Sequence, residues 1–198
     1  MNYLAHAYLS FNEPEILIGN LISDFVKGKK KFSYSPGIQK GITLHRAIDQ
    51  FTDDHIATRT AKLFFKPAYR LYAGAFVDVV YDHFLANDVN EFRFANSLQT
   101  FTENVYQTIE ENFSTLPEDF KYLFPFMKNQ NWLRSYQYKW GIEKGFWGLA
   151  KRAAYLNESA IAFSIFNDHY EELKKCYTEF FPQQKKFAAN QLRNLLVE

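Results

Sequence analysis

An all-α fold is predicted for this chain of 198 residues, and three observations predict it. Strand signals are scarce: no Asn-Gly or Asp-Gly hairpin pair occurs, and period-two alternation is not sustained. Helical periodicity recurs along the chain instead. No repeat, low-complexity tract or Gly/Ser linker divides it. A single-domain helical bundle over residues 1–198 is therefore expected, with the candidate site in about 1–90 and an aromatic-rich half in about 91–198.

The elements follow from local signals. Pro14 suits the first turn of a helix and Gly28 its end, so PEILIGNLISDFVKG is expected as one helix. KKKFSYSPG is a basic, turn-rich loop. Ser35 followed by Pro36 resembles a cap and first position, opening a helix to about Thr52. A third helix is expected from about Tyr69 to Ala86. Segments near 90–112, 117–128, 130–155 and 157–195 have helical character, with breaks at Pro117, Pro125 and Pro182. The Phe and Tyr cluster, with Trp132, Trp140 and Trp147, is expected as core.

The bulk numbers exclude several classes. Hydrophobic residues are 47% and aromatics 19%, enough for a sizeable core and unlike a disordered chain. A net charge of +1 argues against a general nucleic-acid binder. Cys176 is the only cysteine, so neither an intrachain disulfide nor a thiolate metal cluster can form, which suits a reducing cytosol. The start, MNYLAHAYLSF, lacks the basic opening of a secretory signal. No apolar run approaches the ~20 residues that span a bilayer. The expectation is a soluble cytoplasmic protein with no membrane or nucleic-acid partner.

Polar residues in apolar places carry the functional signal. In DVVYDHFLA, residues 78–86, Asp78 and Asp82 lie one turn apart on a helix apolar on all sides, and His83 is rotated about 100° from Asp82. Unpaired buried charge costs several kcal/mol per ion, at about that order, so a neutralising partner is required. Arg46, Arg59 or Arg70 is one candidate; a divalent metal, which carboxylates and imidazoles bind together, is the other. His45 and Asp49 sit one turn apart on a face that turns from apolar to polar, an arrangement that equally describes a histidine held by its i+4 carboxylate. Asp24 shares a face with Leu17 and Leu21, with Asn20 at its edge. His6 is the lone polar side chain in the apolar run that follows Asn2 in NYLAHAYL. His6, His45, His55 and His83 all fall in the first half, the last three close to Asp, and this coincidence favours the metal. A His/Asp set without cysteine suits Mn, Fe, Mg or Zn, used to polarise phosphoryl oxygens and activate water. Lys27, Arg46 and Arg59 lie beside the carboxylate motifs, where they either bind phosphate or are solvated. No Gly-rich phosphate loop or Gly-x-Ser-x-Gly elbow is present.

The motifs NYLAHAYL, GNLISDFVKG, HRAIDQFTD, Arg59 and DVVYDHFLA, in this order, resemble those of the acyl carrier protein phosphodiesterases. The match is strong over the first 90 residues; later it extends only to length and aromatic character. The resemblance implies an all-helical fold distantly related to the HD phosphohydrolases, although the HD pair is reversed here as Asp82-His83. It implies Mn-dependent hydrolysis of the phosphodiester between 4′-phosphopantetheine and a serine of holo acyl carrier protein, a step connected to fatty acid biosynthesis. Carried over, Asp24, His45, Asp82 and His83 are expected metal ligands. His6, Asp49 and Asp78 are expected as further ligands or water-orienting groups, His6 also as an acid for the leaving serine. Lys27, Arg46 and Arg59 would hold phosphate. Lys29, Lys30 and Lys31 would steer the acidic partner, unless they form only a solvated loop. Two rival readings keep other functions open: a phosphohydrolase of a nucleotide or other small phosphoester, and a non-enzymatic helical interaction protein whose acidic core is balanced by arginines.

Overall fold

Capping and apolar spacing place most of the helices, and packing adds the rest. The computed structural model describes residues 1–152 and 159–197, and among these the chain forms eleven α-helices and no strand. In order they are α1 (Tyr3–Tyr8), α2 (Pro14–Ile22), α3 (Pro36–Asp54), α4 (Ile56–Tyr69), α5 (Ala73–Ala86), α6 (Ser97–Glu111), α7 (Glu118–Asn129), α8 (Trp132–Ser135), α9 (Lys139–Arg152), α10 (Ala160–Asp168) and α11 (Tyr170–Val197). Residues 153–155 and 157–158 of the two last expected helical segments lie outside the described residues. Among the described residues no helix is long and apolar enough to cross a membrane.

Several boundaries differ from the sequence expectation for physical reasons. The expected Pro14–Gly28 helix ends at Ile22, and a 3-10 turn, Ser23–Phe25, follows. A second 3-10 turn, Gly28–Ser33, begins at Gly28, whose φ of +56° is the left-handed conformation glycine adopts at no steric cost. Ser35 does cap α3, its hydroxyl accepting from the Ile38 N–H at 3.5 Å. Helix α4 was not expected. Its inward residues are Ala57, Thr58, Ala61, Phe65 and Tyr69, and Pro67 sits inside it. His55 caps it, Nδ1 accepting from the Ala57 N–H at 3.2 Å. The expected helix from Tyr69 is divided from α4 at Arg70, whose φ is +46°. Pro117 does precede α7, but Pro125 and Pro182 lie inside α7 and α11. An interior proline costs about 3 kcal/mol. Burial of Phe120, Phe124, Phe180 and Phe181 beside them, at about 1.5–3 kcal/mol each, offsets it.

The core is one continuous cluster reaching from Met1 to Leu192. Its centre is aromatic: Phe76 lies 5.8 Å from Phe65 and 5.3 Å from Phe146 between ring centroids. Trp140 and Trp147 are not core. They are half-exposed on the outer face of α9, with the Lys144 and Lys151 ammonium groups over their rings at 5.0 and 4.2 Å.

The crossing of α2 and α3 is the closest in the fold that bears on the site. A Cβ on Gly19 would meet the Ile38 carbonyl oxygen at 2.1 Å, and one on Gly41 would meet the Ile16 carbonyl oxygen at 2.4 Å. Gly19→Ala should therefore destabilise the protein by about 2 kcal/mol or more, the cost of overpacking against backbone. Gly148→Ala, where a Cβ meets nothing within 4 Å, should be neutral or stabilising. Denaturant midpoints of the two variants check this, and an unchanged midpoint for Gly19→Ala would contradict it.

Candidate functional site

The α2–α3 crossing places Asn20 between two histidines. The Asn20 amide nitrogen donates to the His6 carbonyl at 2.8 Å and to the Ser10 hydroxyl oxygen at 3.0 Å. Its side-chain oxygen is left to accept, and His6 Nδ1 donates to it at 2.7 Å. His45 Nδ1 donates to the Asn20 backbone carbonyl, also at 2.7 Å. One residue thus fixes the tautomer of both rings. With Nδ1 carrying the proton, each neutral ring presents an Nε2 lone pair. The rings stack at 4.0 Å between centroids, so the two Nε2 atoms face the same way.

They face Asp49. Its Oδ2 lies 3.1 Å from His45 Nε2 and its Oδ1 3.2 Å from His6 Nε2. Burial alone would lower the His45 pKa, but the Asp24 and Asp49 carboxylates outweigh it and lift it to about 9. A proton therefore sits on that Nε2. His6 is different: burial, with the neighbouring His45 ring, lowers its pKa to about 4. Its Nε2 is buried and makes no hydrogen bond: with the proton on Nδ1, it faces the Asp49 oxygen at 3.2 Å with a lone pair. Burial would raise the Asp49 pKa; both imidazoles and the Met1 α-amine hold it far below the usual carboxylate range.

A buried lone pair facing a carboxylate calls for a cation. His6, His45 and Asp49 offer ligand atoms that all lie within 4.8 Å of one another. Two imidazole nitrogens and a carboxylate, with Asp24 Oδ1 3.3 Å from His45 Nε2, form a donor set that first-row divalent ions take. The orphaned His6 Nε2 and the two locked tautomers fit a metal, since ligating histidines are held by their other nitrogen in this way. The cluster opens on a cleft of about 440 Å³ lined by Asp24, Lys27, His45, Arg46 and Asp49. Lys27 and Arg46 are exposed at its rim, and Arg46 donates to the Val26 carbonyl at 3.3 Å. His45 draws the Asp24 carboxyl below its ordinary pKa, so that group is ionised.

Other residues singled out from the sequence are engaged elsewhere. Both Asp82 oxygens accept backbone hydrogen bonds at the start of α1, from Leu4 at 2.8 Å and Ala5 at 3.1 Å. That carboxylate holds the positive end of the helix carrying His6. Burial pushes its pKa up to about 7. His83 is a satisfied core histidine: Nδ1 donates to the Tyr136 carbonyl at 2.7 Å, and Nε2 accepts from the Tyr170 hydroxyl at 3.0 Å. Its rotation from Asp82 turns it away from the cluster. Asp82 and His83, expected as metal ligands from the family resemblance, thus make these hydrogen bonds outside the His6–His45–Asp49 group. Asp78 faces the Met1 α-amine at 3.1 Å. Burial raises its pKa, against the pull of that amine. Arg59 pairs with Asp54 at 3.1 Å and does not line the cleft. Lys29 and Lys30 are exposed, whereas Lys31 donates to the Thr43 hydroxyl at 2.7 Å.

Asn20 is the residue whose role sequence reasoning missed. Its signal was the same as that of the aspartates, a polar side chain inside the apolar run LIGNLI. Asn20→Ala should destabilise the protein by about 2–3 kcal/mol, because it strands the His6 Nδ1 and carbonyl and the Ser10 hydroxyl in the core. Urea unfolding measures this, and a loss under about 0.5 kcal/mol would contradict the assigned network.

The comparisons with known proteins agree with the motif pattern. Residues 1–184 match the family described as acyl carrier protein phosphodiesterase. The chain is 32% identical over 190 residues to the acyl carrier protein phosphodiesterase of Photorhabdus laumondii subsp. laumondii, covering 96% of each chain. It is 32% identical to that of Serratia proteamaculans, covering 95% of this chain and 97% of the relative. It is 30% identical to that of Pectobacterium atrosepticum, covering 96% and 99%. No solved structure matches the chain. Near-complete coverage at this identity settles membership: the chain belongs to the acyl carrier protein phosphodiesterase family.

Proposed function

We propose that this chain hydrolyses the phosphodiester joining 4′-phosphopantetheine to a serine of holo acyl carrier protein, at the cleft of Asp24, His45 and Asp49, with a divalent metal held there. Membership of the family supports the reaction. The observation that carries the metal is the buried His6 Nε2, without a hydrogen bond, beside His45 Nε2 and the Asp49 carboxylate. His6, His45 and Asp49 are the proposed ligands, with Asp24 on the cleft side. A bound dication would supply Lewis-acid polarisation of the phosphoryl group and acidification of a water. Manganese is the ion the family resemblance implies; the donor chemistry itself admits iron and zinc too.

The chain's own residues do the rest. Asn20 orients the two imidazoles, and Asp82 fixes α1 so that His6 stays in register with His45. Lys27 and Arg46 at the rim provide positive charge for the non-bridging phosphoryl oxygens. Water attacks phosphorus, the bond to the serine oxygen breaks, and that oxygen takes a proton in the open cleft. The products are the free serine of the apo protein and 4′-phosphopantetheine. Lys29 and Lys30 place further positive charge close to Lys27, which favours encounter with an acidic carrier. The buried, single Cys176 suits a reducing cytosol as the site of action.

Incubation with Mn²⁺ and holo carrier protein, followed by intact mass measurement, should show conversion to the apo form. Asp49→Ala should lower the rate at least about 100-fold and reduce the metal content found by elemental analysis. Turnover of small phosphodiesters without release of apo protein would shift the substrate to the small-ester reading. Full metal content in Asp49→Ala would remove the proposed centre.

A further inference from the structure

The turn Gly28–Ser33 adjoins the cleft in sequence through Lys27 and Gly28, both of which line it. None of its residues is buried. Yet the segment is anchored on both sides: Phe25 packs edge-on against Phe120 at 5.4 Å, and Tyr34 packs on the core. Between these anchors Phe32 stands 71% exposed. A single exposed aromatic residue is ordinary on a protein surface. This one is placed among unopposed charge: from Phe25 to Arg46 the chain holds Lys27, Lys29, Lys30, Lys31 and Lys40 and no Asp or Glu.

The three lysines of the turn are not equivalent. Lys29 and Lys30 are exposed, whereas Lys31 bends back to the Thr43 hydroxyl on α3 at 2.7 Å. That bond ties the turn to the helix that carries His45 and Asp49. A turn tied to α3, with an outward aromatic side chain rimmed by exposed positive charge, has the make-up of a protein-docking element. Its apolar centre supplies binding energy and its charges supply encounter rate.

We infer that the 28–33 turn docks an acidic protein surface bearing an apolar notch, with Phe32 as anchor, Lys29 and Lys30 as steering charges and Lys31 as the strut that ties the turn to α3 beside the cleft. This rests on the reading that the cleft acts on a phosphodiester carried by a protein. It goes beyond it by dividing the basic rim into residues with separable effects. A docked partner would enter the cleft beside Lys27, with its phosphodiester toward Lys27 and Arg46.

Steady-state kinetics on holo acyl carrier protein separates the roles. Phe32→Ala should raise KM about tenfold, with the loss in KM rather than in kcat. Phe94→Ala, at a phenylalanine 80% exposed outside the basic segment, should change neither constant. Lys29→Ser with Lys30→Ser should flatten the fall of kcat/KM with added salt, an effect Phe32→Ala should not have. Thr43→Val should raise KM and leave the salt slope unchanged. A KM for Phe32→Ala equal to that of the parent, or an equal rise for Phe94→Ala, would overturn the inference. If the parent releases no apo protein, the phosphodiesterase reading fails by itself. Fluorescence anisotropy of labelled holo carrier protein then still tests docking: tenfold weaker binding by Phe32→Ala supports it, and unchanged binding overturns it.

Discussion

The site depends on how closely α2 and α3 cross. Only because Gly19 and Gly41 have no side chains do the two helix backbones approach so near that a Cβ would strike a carbonyl at little more than 2 Å. At that separation the Asn20 carbonyl reaches His45 across the helix boundary, and the Asn20 side chain reaches His6 on α1. A wider crossing would leave each imidazole free to rotate and to exchange tautomers. The glycines are thus as much a part of the site as the histidines, although neither touches the cleft.

Electrostatics sharpens what packing begins. Asp49 sits between two imidazoles that burial drives to opposite outcomes. His45, reached by two carboxylates, keeps a proton on Nε2; His6, deeper and beside His45, loses it. Two stacked rings of the same chemistry therefore differ by their neighbours alone. A dication would displace the proton from His45 Nε2, take that lone pair together with the one on His6 Nε2, and relieve the unsatisfied nitrogen. Asp82 and Asp78 extend the same logic outward. One is spent on backbone N–H groups of α1, the other on the Met1 α-amine, so neither buried acid is left uncompensated.

Much of this was legible in the sequence. The helical class followed from periodicity, and His45 with Asp49 followed from i,i+4 spacing on one face. Asp24 and His6 stood out as polar groups in apolar runs. What remained hidden has specific causes. Helix α4 carries an apolar face of Ala57, Ala61, Phe65 and Tyr69 at helical spacing, but Pro67 inside it reads as a break. Pro125 and Pro182 read as breaks because the sequence does not show how much aromatic burial holds their helices together. Asp82 and His83 were expected as ligands from the family resemblance, while their helix positions diverge by about 100°. One therefore faces α1 and the other Tyr136 and Tyr170. Asn20 was visible but not interpretable, since its partners come from two other helices.

The proposed mechanism turns on a dication held by the His6–His45–Asp49 group rather than by the Asp82-His83 pair. Titration of Mn²⁺ into the protein, followed by electron paramagnetic resonance, tests this most directly when His6→Ala and His83→Ala are compared with the parent. The account predicts that His6→Ala loses the bound-ion signal at concentrations where the parent is saturated, and that His83→Ala keeps it. Retained binding in His6→Ala together with its loss in His83→Ala would contradict the account.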